Sequence, residues 1–217
     1  MTAPQSGDHG MFDQKPAGVS ARPDLWSFSL SIYQSEGVPE ACLYLQDELG
    51  GDVNILLFCL WVSAQGDVPV DTELLALAHD RVHAWRNRVV ETLRQLRRDL
   101  KGGVSPLEQE RVEAFRDRVK ILELAAEREQ QVALAAMYEE HSELLEAPSP
   151  HETPPSQEVV EERLAMGIDR YVETLTHLSS RDRGSSAQGA DLSNESGVGV
   201  WKMHRRALIT AAIASTD

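Results

Sequence analysis

DLWSFSLSIYQSEGVPEACLYLQDELGGDVNILLFCLW, residues 24–61, is the stretch whose reading decides the fold. It holds Trp26, Phe28, Tyr33, Tyr44, Phe58 and Trp61 together with Cys42 and Cys59, the two cysteines of the chain. Glycine-bearing turns divide it into three short helices. Pro23-Asp24 starts the first, with Asp24 as N-cap, because a short acceptor side chain satisfies the free N–H groups of a first turn. Leu25, Trp26, Phe28, Leu30, Ile32 and Tyr33 wrap most of its surface, which predicts deep burial, and Gly37 ends it. Pro39 suits the next first turn, where its missing N–H is no loss. The second helix runs from about Pro39 to Leu49 with Ala41, Cys42, Leu45 and Leu49 on one face, and Gly50-Gly51 supplies a left-handed C-cap. Asp52 caps the third, which carries Val53, Ile55, Leu56, Leu57, Phe58, Leu60, Trp61 and Val62. That run also scores as a buried strand, but its length and its acidic cap favour a helix.

Downstream of the Gly66 and Pro69 breaks, one long helix is expected from Asp71 to Lys101. Its stripe is Leu75, Ala78, Val82, Trp85, Val89, Leu93, Leu96 and Leu100, in steps of three and four. Gly102-Gly103 stops it. Ser105, Pro106 and Glu108 read as the capping box of the next helix, which runs toward Glu146 on a stripe of Val112, Phe115, Val119, Leu122, Ala126, Ala133 and Met137. The short loop between the two long helices makes them antiparallel neighbours. The expected fold is all-α: a compact helical bundle of three short N-terminal helices packed on a long antiparallel helical hairpin. It occupies residues 24–146, after a disordered tail over 1–23. A proline-rich linker follows at 147–156, then one more amphipathic helix at 157–179, marked by Val160, Leu164, Ile168, Tyr171, Leu175 and Leu178. Residues 180–217 read as a mostly disordered tail in which VWKMHRRALITAAIAS can form a short helix.

From Leu25 to about Gln131 the chain resembles a family of small bacterial helical proteins known only as a domain of unknown function. The residues that carry the resemblance are Leu25-Trp26-x-Phe28-Ser29-Leu30, Ala41-Cys42-Leu43-x-Leu45-Gln46-Asp47, and Gly51-Asp52-Val53-Asn54-Ile55-Leu56-Leu57-Phe58 with Leu60-Trp61. Weaker matches follow at Trp85-Arg86, around Arg94, Arg97 and Arg98, and at Glu123-Leu124-x-Ala126-Glu127-Arg128. The resemblance implies a helical fold and brings no activity with it.

The chain of 217 residues has a formal charge of -14 and a pI near 4.9. Nucleic-acid phosphates and anionic lipid repel such a chain except where positive charge is segregated. No stretch reaches the roughly 18–20 apolar residues that span a bilayer, and the N-terminus lacks the basic-then-apolar pattern of a signal peptide. Two cysteines in apolar helical settings read as buried thiols in a reducing cytoplasm.

Four candidate surfaces stand out. The first is a polar pocket between the short helices, lined by Trp26, Asp47, Asn54 and Trp61, with Arg86 as the partner that a carboxylate near a helix C-terminus would need. The plainer reading is that Asp52 caps, Asn54 satisfies loop backbone and Asp47 forms a structural ion pair. The second is the cationic run Arg94, Arg97, Arg98 and Lys101, a docking face for an acidic partner or a phosphate-bearing ligand. The competing reading pairs these cations with Glu108, Glu110, Glu113 and Glu123 of the neighbouring helix. The third is His79 and His83, an i, i+4 pair that can share a metal but has no third ligand fixed by sequence. The fourth is the basic-then-apolar C-terminus, either a recognition helix or a membrane-surface anchor, with a disordered tail as the plain alternative. No phosphate-cradling glycine loop, nucleophile elbow or paired Glu-x-x-His is present, and no cofactor is implied. The expected function is therefore a cytoplasmic protein-binding or adaptor module acting through a helical surface. The alternative is a small-molecule or metal-dependent enzyme, or a ligand carrier, using the first pocket.

Overall fold

The computed structural model describes residues 23–66, 68–144, 155–182 and 195–215. The described residues form α-helices joined by turns, with no strand among them. Residues 1–22 of the expected N-terminal tail (1–23) and residues 147–154 of the expected linker (147–156) lie outside them, as do residues 183–194.

The fold is built around its most apolar helix. α3 (Val53–Gln65) buries every residue from Asn54 to Ser63, so it has no solvent face. A helix apolar on all sides must be enclosed on all sides, and five helices do this. α1 (Leu25–Tyr33) and α2 (Val38–Leu49) precede it, α6 (Gln109–Leu144) covers one flank, and α7 (Gln157–Asp182) and α8 (Glu195–Ala214) cover the rest. Local chemistry sets the ends. The Asp24 carboxylate accepts from the Ser27 N–H at 3.0 Å, and Asp52 accepts from the Asn54 N–H at 2.9 Å. Gly66 closes α3 at φ 72°, in the left-handed region that a side chain would strain. Phe58 and Trp61 meet Tyr138 of α6 edge to face, with ring centroids 6.3 and 5.0 Å apart.

α7 and α8 belong to this core rather than to an appendage. Leu164, Ile168, Tyr171 and Val172 of α7 are buried, as are Trp201, Leu208, Ile209 and Ala212 of α8. Gly167 lets α7 approach α3, since a Cβ there would collide with the Ser63 hydroxyl. Arg205 of α8 grips both oxygens of Asp169 on α7 at 2.7 Å each, and Tyr44 of α2 stacks on Trp201. The tail expected over 180–217 thus contains a helix of 20 residues whose apolar positions face α2 and α7. Its stripe (Trp201, Leu208, Ala211, Ala212) has helical spacing, but the intervening Arg205 and Arg206 give the sequence the look of a basic segment followed by an apolar one.

The hairpin forms with two differences from the sequence reading. First, α6 begins at Gln109, and the Ser105–Glu108 capping box is not made. Ser105 to Leu107 turn instead, with the Leu107 N–H on the Val104 carbonyl at 3.0 Å. Second, the helix expected from Asp71 to Lys101 is three segments: α4 (Thr72–Trp85), a π-helical turn over Arg86–Val90, and α5 (Glu91–Asp99). In the turn the Glu91 N–H reaches back five residues to the Arg86 carbonyl. Beyond it the buried face moves by one residue. Val90 and Arg94 are buried there and Leu96 of the expected stripe is exposed, while Trp85, the last residue of α4, is already exposed before the turn. α4 and α5 run antiparallel to α6: Arg81 pairs with Glu140, and Arg94 with Glu123.

Both thiols sit in the core. Burial pushes the Cys42 thiol up to about 12 and Cys59 higher still. Neither cysteine is expected to react with a thiol reagent at neutral pH until the chain unfolds, because the thiolate is the reactive form. Rapid labelling of the native chain would contradict this burial.

Candidate functional site

Most of the buried polar groups form one seam between the core and the hairpin; Ser63 and His204 are buried elsewhere, against Gly167 of α7 and on Tyr44 of α2. The seam starts at Asp52, whose Oδ1 caps α3 and whose Oδ2 accepts from Gln130 Nε2 at 2.7 Å and pairs with Arg86 Nε at 3.1 Å. Asn54 Oδ1 accepts from Gln131 Nε2 at 2.9 Å, and Asn54 Nδ2 donates to Gln130 Oε1 at 3.4 Å. The Tyr171 hydroxyl of α7 accepts from the Asp52 N–H at 2.7 Å and donates to the Asp52 carbonyl at 3.0 Å. Burial, and then the Asp52 charge, hold that phenol well above its ordinary range. The buried oxygens of Ser29 and of Gln131 (Oε1) have no hydrogen-bond partner.

Arg86 carries the seam into the hairpin. Its second nitrogen lies 3.5 Å from Glu91, and Glu91 pairs with Arg94 at 3.2 Å. Arg94 is buried and also holds Glu123 at 3.3 Å and Glu127 at 2.7 Å. Arg97 donates to both oxygens of Glu123. Burial pushes Glu123 up, but Arg97 and Arg94 outweigh it and hold the carboxyl below its ordinary value. In Glu127 burial wins, and the carboxyl sits above its ordinary value despite Arg94. Burial opposes the charge on Arg94, yet Glu127 and Glu91 keep it more firmly protonated than a free guanidinium.

The residues singled out in the sequence are distributed as follows. Arg86 pairs with Asp52, not Asp47. Asp47 is exposed on α2, where Gln46 donates to it at 3.2 Å. Asn54 lies in the buried seam. Trp61 sits about two turns further along α3, its indole N–H on the Pro23 carbonyl at 2.9 Å. Trp26 is half-buried beneath the Arg128 guanidinium. The five expected pocket residues therefore do not converge. Of the cationic run, Arg94 and Arg97 turn inward to glutamates, while Arg98 and Lys101 remain exposed. Rings of His79 and His83 are 5.3 Å apart on an exposed face, with Asn87 beside His83 Nε2 at 2.9 Å. No group of three His, Cys, Asp or Glu side chains that could hold a metal occurs among the described residues. Nor is any helix among them long and apolar enough to cross a membrane.

Gln130, Gln131 and Glu91 went unnoticed in the sequence; Glu127 entered only through the family resemblance and Tyr171 only as an apolar helix position. One signal was present: Glu123 and Gln130 occupy the same helical face as the buried Val119, Ala126, Leu134 and Met137. Polar groups in a buried register imply polar partners.

With its charges engaged inward, the hairpin leaves a different surface outside. Phe115 (51%), Ile121 (68%), Leu122 (57%) and Val132 (55%) of α6 are exposed. At 3.6 residues per turn they fall within about 120° of the helix circumference, on a face that adjoins the buried stripe near Ala126 and extends away from it. The sequence reading had placed Phe115 and Leu122 inside. Trp85 borders this face, its indole N–H on the Ala126 carbonyl at 2.9 Å.

The family model described as "Protein of unknown function (DUF2390)" matches residues 24–134. That span runs from the N-cap of α1 into α6 and covers the seam apart from Tyr171. No curated protein and no solved structure matches the chain.

Proposed function

The chain belongs to this family of unknown function, and from that premise we propose that it is a protein-binding module acting through the outward face of its hairpin. The observation that carries the reading is the row of exposed apolar side chains on α6. Contiguous apolar surface on a folded chain marks an interaction site. The seam supports the same reading, because it holds the hairpin rigidly against the core and so presents a preorganised helix face.

The test is site-specific photo-crosslinking. A crosslinker placed at Leu122 is expected to capture a protein partner in cells, and one at Met203, an exposed apolar residue of α8, is not. Phe115→Asp/Leu122→Asp should abolish the capture, since truncating or charging interface anchors weakens binding by about 2 kcal/mol or more. It should leave the melting temperature nearly unchanged, because both positions are on the surface. Equal capture from the two positions, or capture indifferent to the aspartates, would refute the reading.

A further inference from the structure

We infer that the outward face of α6 is self-complementary and that its partner is a second copy of this chain, packed antiparallel across a two-fold axis between Glu123 and Leu124. The inference rests on the protein-binding reading of this face and names its occupant.

Charge distribution along α6 is the first argument. Residues 109–120 contain Arg111, Arg116, Arg118 and Lys120 against Glu110, Glu113 and Asp117. Residues 121–144 contain Arg128 against Glu123, Glu127, Glu129, Glu139, Glu140 and Glu143. The two segments thus carry formal charges of +1 (four cations, three anions) and −5 (one cation, six anions). With Glu123, Glu127 and Glu140 already paired within the chain the second remains the more acidic, which favours an antiparallel copy over a parallel one.

Register is the second argument. The exposed positions Ala114, Phe115, Arg118, Ile121, Leu122, Ala125, Glu129 and Val132 share one face of the helix. A two-fold between residues 123 and 124 sets Phe115 against Val132, Arg118 against Glu129, and Leu122 against Ala125. Phe115 and Leu122 thus each meet a smaller side chain, and Arg118 meets an anion. The small Ala125 at the centre lets the two helices approach closely. No ion pair or hydrogen bond within the chain engages the Arg118 or Glu129 side chain among the described residues, so both are available. A two-fold interface must be complementary to itself in this way, and each contact then occurs twice.

The experiment uses the full chain. Sedimentation equilibrium is expected to give twice the 24.1 kDa of one chain. Arg118→Glu should weaken the dimer at least about tenfold, because it places like charges together at two symmetric positions. Arg118→Glu/Glu129→Arg should restore it. With both native thiols buried, chains carrying Arg118→Cys mixed with chains carrying Glu129→Cys should form a disulfide-linked species, and neither variant should do so alone. Residues 118 and 129 are about 16 Å apart along the helix, too far for like positions to meet across the axis. A monomer up to about 100 μM overturns the inference, as does dimerisation with equal crosslinking by either cysteine variant alone. A monomer that still crosslinks another protein from Leu122 overturns the second copy while keeping the binding face. A monomer with no Leu122 capture overturns both.

Discussion

A chain ending at Leu144 is expected to lose its cooperative fold, although it retains the whole family-matched region. Leu164, Ile168, Tyr171, Val172, Trp201, Leu208 and Ile209 are buried large side chains supplied by α7 and α8. At roughly 1.5–3 kcal/mol each, their burial amounts to something on the order of 10–20 kcal/mol. That matches or exceeds the roughly 5–15 kcal/mol net stability of an ordinary domain. Truncation would also leave wet the side of α3 that packs against Gly167 and the Gly51 turn that Leu175 covers, and would remove the Tyr171 hydroxyl from Asp52. Circular dichroism and urea titration of residues 1–144 check this. A sharp transition with a midpoint near that of the full chain would show that the first six helices suffice.

Arg94→Met is expected to lower stability by about 3–5 kcal/mol at neutral pH, the usual consequence of removing one member of a buried ion cluster. The guanidinium holds Glu91, Glu123 and Glu127, and methionine fills similar volume without the charge. The pH dependence separates this cause from lost packing. Glu127 already titrates above its ordinary value because of burial, and losing Arg94 raises it further. A carboxyl raised on folding favours the folded state at pH below its unfolded value and loses that contribution as pH rises through its folded value. The deficit of the variant should therefore shrink as pH falls from 7 toward the ordinary glutamate range. The intact chain behaves oppositely at Glu123. That carboxyl is depressed, so its contribution is present above the unfolded value and fades as pH falls through the folded value. A deficit that stays constant with pH would assign the loss to packing alone.

Much of the fold was legible. Asp24, Asp52 and Asp71 announced three helix starts, and each caps as its chemistry dictates. The uniform apolarity of Val53–Val62 required a buried central helix, and α3 is one. What eluded the sequence has a common cause. The seam consists of polar residues on buried faces, and a reading based on apolar periodicity assigns such residues to solvent. Arg94 and Arg97 thus appeared as a cationic surface, although their pairing with Glu123 was a recognised alternative. The misplacement of Phe115 and Leu122 is the complement of this. α6 has two apolar faces, and periodicity alone does not say which one the core takes.

The five residues from Arg86 to Val90 act through their number as much as through their side chains. Between Val82 and Arg94 the inward positions fall at 82, 86, 90 and 94, four apart, a spacing that drifts about 40° per step in a regular α-helix. The wider turn takes up that drift. Three such steps amount to about 120°, close to the roughly 100° of one residue, so removing one residue there would let the arm run on as regular α-helix with Arg94 and Arg97 still facing α6. Adding a residue instead would turn Arg94 and Arg97 by about 100°, away from Glu123. The orientation of the hairpin is thus encoded as a count of residues. An insertion in this turn would alter it more profoundly than exchange of one side chain for another.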